Sequence, residues 1–179
     1  MLSERLKLDD IDKQIISIVQ DEPNITHTEI ADRINRSQPT VGMRIKKLEK
    51  SGVLQFQPGI NFKKVNLYLA IVSLKTKDPD KIIDMAKFCP FILNAFRISG
   101  DYNIFMMLTS SKLEKLDMVV NYHFRNNPEV QSVSMEIVTD IAKDLILPID
   151  FDSDIHDPNL EQGCGEKCKY KIAQKQGLV

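Results

Sequence analysis

Between Ser37 and Lys50 the chain reads Ser-Gln-Pro-Thr-Val-Gly-Met-Arg-Ile-Lys-Lys-Leu-Glu-Lys. Wound as a helix, this stretch puts Val41, Ile45 and Leu48 on one face and Gln38, Pro39, Thr40, Met43, Lys46, Lys47 and Lys50 on the other. Those residue types suit the major groove of duplex DNA. Glutamine can pair with adenine through two hydrogen bonds, threonine can touch a thymine methyl, and Met43 offers an apolar contact. Arg44, Lys46 and Lys47 suit phosphates, which supply affinity without sequence information. Ser37 and the free N–H groups at the helix start can hold one more phosphate. A charged helix face can equally be a merely solvated one, so the surroundings must decide.

The charge distribution supports the sharper reading. Residues 33–64 carry eight Lys or Arg against Glu49 alone, whereas residues 1–32 carry eight Asp or Glu against three Lys or Arg. The whole chain sums to only −1. A basic block beside an acidic one points to a local site for a polyanion.

A second group of reactive side chains lies near the C-terminus. His156, Cys164 and Cys168 could hold zinc with Asp154 or Asp157, form a redox pair, or be inert thiols. The four-residue spacing of the cysteines is not the usual metal spacing, and no metal is expected there. Cys89, before Pro90, reads as a small core hydrophobe. His27 and His123 read as surface or structural residues. No nucleophile–base pair, glycine-rich phosphate loop or supported carboxylate pair occurs, so neither catalytic residues nor a cofactor are expected.

The elements that would position the basic helix are legible. The chain has 179 residues, 42% hydrophobic and 27% charged, enough for one average domain or two small ones with packed cores. Leu8, Ile11, Ile15, Ile18 and Val19 form one helical stripe, which Asp9 or Asp10 can cap and Pro23 ends. Thr26 and Glu29 have capping-box spacing for a second helix reaching about Asn35. Ser37 caps the third, and Gly52 closes it. The short link between the second and third helices predicts a helix-turn-helix. Val53–Phe62, with Pro58-Gly59 at its centre, predicts a hairpin that would serve as a wing.

Beyond residue 60 the rhythm changes to strand 67–76, helix 80–88, strand 91–99, strand 102–109, helix 111–125 and strand 130–141. That β-α-β-β-α-β order predicts a ferredoxin-like domain. Its strands are apolar on both faces, yet two helices can cover only one, so a partner chain is expected on the other. Residues 148–179 read as a tail, acidic and irregular at first and ending in a short basic segment with weak helical character. No apolar run approaches the ~18 residues of a membrane span. The charged start has no following apolar stretch, so no secretory signal is expected and the default compartment is the cytoplasm. The chain is thus expected to be α+β. A winged helix-turn-helix domain (1–60) precedes a ferredoxin-like effector and oligomerisation domain (61–147) and a tail (148–179).

Leu8-Asp-Asp-Ile-Asp12, Ile16, Thr28-Glu-Ile-Ala31, Ser37, Val41, Arg44 and Leu48-Glu-Lys-Ser-Gly-Val53 resemble the Lrp/AsnC, or feast/famine, family. The Gly100-Asp101-Tyr102-Asn103 turn resembles the glycine-acid-tyrosine-aspartate turn of that family's effector domain. The resemblance covers about residues 8–147. It implies transcription regulation, duplex DNA as partner, homodimers joined through the C-terminal sheets, assembly to octamers, and a small effector, usually an amino acid. On it, Gly100, Asp101, Tyr102 and Asn103 are the expected effector residues. Asn103 stands where the family commonly has aspartate, which weakens recognition of an α-ammonium, and Val133 and Met135 stand near places often held by threonines. Gly100 and Asp101 have a plainer reading as a tight hairpin. Two other functions are compatible with the architecture. One is an enzyme like the siroheme decarboxylases, which are similar to this family. The other is a ligand-binding adaptor without DNA contact.

Overall fold

The computed structural model describes residues 2–178; the expected limits at residues 1 and 179 lie outside them. The chain divides into two compact units, one ending at Gln57 and the other beginning at Pro58.

The first unit is helical: α1 (Leu2–Arg5), α2 (Asp10–Asp21), α3 (His27–Arg33) and α4 (Gln38–Lys50). Each longer helix starts on the cap its sequence specifies. The Asp9 side chain accepts from the Asp12 N–H at 2.9 Å, and Asp12 reaches back to the Asp9 N–H. Thr26 and Glu29 form the same reciprocal box. Ser37 caps α4, with Pro39 in the first turn, where its missing N–H costs nothing. Gly52 follows α4 at φ +72°, a conformation that glycine adopts without strain. Helix α3 ends at Arg33, two residues before the expected end, and Asn35 turns the chain at φ +52° into the Ser37 cap. Ile15, Val19, Ile30, Ala31, Val41, Ile45, Leu48 and Leu54 form the core of this unit.

The wing does not form as a hairpin. Between Val53 and Gly59 there is no strand, and β1 (Ile60–Asn61) pairs instead with β6 (Ile146–Leu147), antiparallel. Gly59 explains the difference. A Cβ there would sit 2.6 Å from the Leu147 carbonyl carbon, so glycine is needed for close backbone approach rather than for a tight turn.

The second unit continues with β2 (Tyr68–Thr76), α5 (Pro79–Ala86), β3 (Ile92–Arg97), β4 (Ile104–Ser110), α6 (Leu113–Val120) and β5 (Val130–Ile137). The four long strands are antiparallel in the order β3-β4-β2-β5, the ferredoxin-like arrangement. Ala70, Val72, Leu74, Ile104, Met106 and Leu108 face the helices and are fully buried with Ile82, Leu116, Val119 and Phe124. By alternation, Ile71, Ser73, Phe105 and Met107 turn to the opposite face, where no helix of the sheet lies. They are partly exposed, and Phe96 is 43% exposed.

Residues 148–178 are more regular than expected at their start, and their basic segment is helical. They form α7 (Asp152–Ile155), a 3-10 turn (Gly165–Lys167) and α8 (Lys169–Lys175). His156, Cys168 and Ala173 are buried, and Cys164 and Tyr170 pack on the core of the sheet. Periodicity marks only the last helix, weakly, because the contacts that order the rest are irregular and long-range. Among the described residues no helix is long and apolar enough to cross a membrane.

Candidate nucleic-acid interface

Helix α4 is anchored by Val41, Ile45 and Leu48, all nearly fully buried. The helical period then forces the opposite face outward. Ser37, Gln38, Lys46, Lys47 and Lys50 are exposed, and Met43 is 66% exposed. Among the described residues no ion pair holds Lys46, Lys47 or Lys50. Thr40 is half-buried, and its hydroxyl lies 2.8 Å from the Ser37 hydroxyl.

Arg44, expected as a phosphate contact, is engaged within the protein through one end of its guanidinium. Its Nη1 donates to Asp9 Oδ2 and, at 2.9 Å, to Asp12 Oδ1, and Asp12 is only 1% exposed. The hydrogen bond from Arg44 holds the Asp9 carboxyl below the usual range, and the same bond raises the guanidinium further. A buried carboxylate needs such a partner. Arg44 therefore ties the outer helix to the start of α2. Sequence periodicity carried a signal for this: Asp12 lies in helical register with Leu8, Ile15 and Val19, on the buried stripe.

The turn expected to hold an effector lies in the second unit, between β3 and β4. Gly100 takes φ +141°, which favours glycine. Gly100, Asp101 and Tyr102 are exposed. Asn103 is not free. Its Oδ1 accepts from the Thr76 N–H at 2.9 Å, and its Nδ2 donates to the Thr76 carbonyl at 2.7 Å. Its own N–H donates to the Leu74 carbonyl, and its carbonyl accepts from Ile98. The carboxamide thus clamps the turn to the end of β2, using a donor and an acceptor that a carboxylate cannot both supply. Asp101 is left as the turn's one anionic side chain.

His156 is held by both ring nitrogens, at 2.6 Å from the Asp152 carbonyl and 2.8 Å from the Lys167 carbonyl. It does not converge with Cys164 and Cys168 on an acid. Cys89, expected as an isolated core residue, lines the same small cavity as both of those cysteines.

Residues 8–55 match the winged helix-turn-helix DNA-binding family, and residues 69–146 match the Lrp/AsnC ligand-binding domain. An uncharacterised HTH-type transcriptional regulator of Pyrococcus horikoshii is 28% identical over 146 residues, covering 79% of this chain and 92% of that one. The crystal structure of PH0061 shares the fold with a TM-score of 0.67 at 24% identity, covering 78% of this chain and 98% of that one. A Neisseria meningitidis transcriptional regulator, solved as its L-Met complex, has a TM-score of 0.67 at 22% identity, covering 76% and 92%. The fold and the matched domains define a DNA-binding transcriptional regulator. Like the Lrp/AsnC regulators it resembles, the chain carries a winged helix-turn-helix followed by an Lrp/AsnC ligand-binding domain.

Proposed function

We propose that α4 is the recognition helix and enters the major groove. Gln38, Thr40 and Met43 meet base edges, while Ser37, Lys46 and Lys47 meet phosphates. Arg44 acts on DNA only by holding that helix in place. One observation carries this reading: a helix with a buried apolar stripe presents on its outer face an exposed methionine and three cations that no ion pair holds among the described residues, with Gln38 exposed at its first position.

Two chains pair through the sheet face bearing Ile71, Phe96, Phe105 and Met107, which the helices leave open. Such a homodimer sets two recognition helices about one DNA turn apart on a pseudo-palindromic site. Octamers are the higher assembly that the family resemblance implies. The effector is an amino acid whose ammonium meets Asp101 at the Gly100–Asn103 turn. The L-Met complex of the Neisseria meningitidis relative supports that ligand class. The protein works in the cytoplasm, as a binding protein and not an enzyme.

The test is fluorescence anisotropy of the full chain with duplex DNA from its own upstream region and with a scrambled duplex, across a salt series. The expected result is tighter binding to the first duplex and affinity that falls steeply with salt. Absence of duplex binding, or binding indifferent to salt, overturns the reading.

A further inference from the structure

The end of β4 opposite the Gly100–Asn103 turn borders a cavity of about 300 Å³ that no residue of that turn lines. Three stretches distant in sequence build it: the chain from β1 towards β2, the end of β4 with Ser111, and residues 149–154 of the C-terminal extension. The matched ligand-binding domain ends at residue 146, so the third stretch lies outside it. Ligand pockets start at roughly this size, so one small molecule fills it.

The lining has two kinds of surface. Ile60, Ile149 and Phe151 are apolar, and Phe151 is 68% exposed, which leaves ring area for a flat ligand to cover. Asn66, Ser111, Ser153 and Asp154 are polar. Among the described residues no hydrogen bond or ion pair engages any of these four side chains. The buried hydroxyls of the same wall are already used. That of Thr109 donates to the Tyr68 carbonyl at 3.0 Å, and that of Ser110 accepts from the Lys112 N–H at 3.2 Å. No lysine or arginine among the described residues lines the cavity. Lys115 approaches Asp154 only at its main-chain carbonyl, 3.5 Å away.

These groups narrow the ligand's chemistry. One carboxylate without a cation disfavours a phosphate or a free carboxylate. The two oxygens of a carboxylate can accept from neighbouring hydroxyls of a ribose, as an acid does in dinucleotide sites. An asparagine carboxamide matches the donor–acceptor edge of adenine, and an aromatic face stacks on any base. Three uncharged polar side chains ask for hydrogen-bonding groups spread over the ligand, which a simple amine lacks. We propose that this cavity binds a nucleoside without phosphate. The base stacks on Phe151 and offers its edge to Asn66, the ribose hydroxyls donate to Asp154, and Ser111 and Ser153 serve the remaining donors and acceptors. The nucleoside bridges the extension to the end of β4. It is a second small-molecule site, and it rests neither on the amino-acid reading of the turn nor on DNA binding.

The experiment titrates the full chain by calorimetry with adenosine, guanosine, cytidine and uridine, and with adenosine monophosphate. Adenosine should bind once per chain and raise the thermal midpoint, and the monophosphate should bind at least about tenfold more weakly. Asp154→Asn and Phe151→Ala should each weaken adenosine about tenfold or more. Both residues are exposed, so the fold bears the change. Asp101→Asn, in the turn, should leave adenosine binding as it was. Binding of another of the four nucleosides, with the same losses in the two variants, also supports the site. A chain that binds none of the four overturns the proposal. So does nucleoside binding that survives Phe151→Ala and Asp154→Asn undiminished, or a monophosphate held as tightly as adenosine.

Discussion

Helix α4 and helix α8 are both lysine-rich, and they use their lysines in opposite ways. Among the described contacts of α4, Lys46, Lys47 and Lys50 have no ion-pair partner. In α8, Lys169 is bridged to Asp150 and Asp152 at 2.6 Å, Lys171 sits on Tyr122, and Lys175 lies 3.5 Å from Glu166. Local composition does not tell these helices apart. What separates them is whether the fold brings acids to the cations. A phosphate backbone is met by cations whose charge is not already balanced, which is why the proposed reading places DNA on α4 and not on α8.

The sharpest way to break this comparison is charge removal. Lys46→Ala with Lys47→Ala should weaken duplex binding on the order of a hundredfold and flatten the salt slope by about two per bound protomer. Lys169→Ala with Lys171→Ala should leave both unchanged. Salt-series anisotropy reads the two variants side by side, and equal losses would erase the distinction.

Arg44 sharpens it from the other side, because it is the α4 cation that is paired. Arg44→Met strands the buried Asp12 carboxylate and should lower the urea stability of the first unit by about 2–3 kcal/mol. The salt slope of DNA binding should not change. The pH dependence has a definite sign. Arg44 depresses the folded pKa of Asp9, so its contribution is present above the unfolded value of about 4 and is lost as pH falls through the lower folded value. Acid unfolding, followed by circular dichroism between about pH 5 and pH 2, should lose that component in Arg44→Met.

Gln38→Ala should cost about 1–3 kcal/mol at one base position and little elsewhere, seen as relaxed preference in binding-site selection. A uniform loss over all sequences would place Gln38 on the phosphates instead. Asn103→Asp restores the residue the family commonly carries, yet it should destabilise the second unit by about 1–2 kcal/mol, because a carboxylate faces the Thr76 carbonyl. Thermal unfolding measures this, and a stability gain would sink the clamp.

The sequence by itself determined the three longer helices of the first unit, since caps and apolar spacing act within a few residues, but not the short α1. Asp9, Thr26, Ser37 and Gly52 sit where their chemistry demands. It also determined the ferredoxin-like order of the second unit and the outward face of α4, because a fixed helical period turns a buried stripe into an exposed one. Only the tertiary structure decided what depends on distant partners. Arg44 meets acids more than thirty residues away, Asn103 meets the end of β2, and residues 60–61 pair with 146–147 instead of closing a hairpin. Cys89 meets cysteines of an extension that periodicity marks only weakly. Such pairings arise from chain crossings in space; spacing along the chain can mark one member, as it marks Asp12 on the buried stripe, but not its partner.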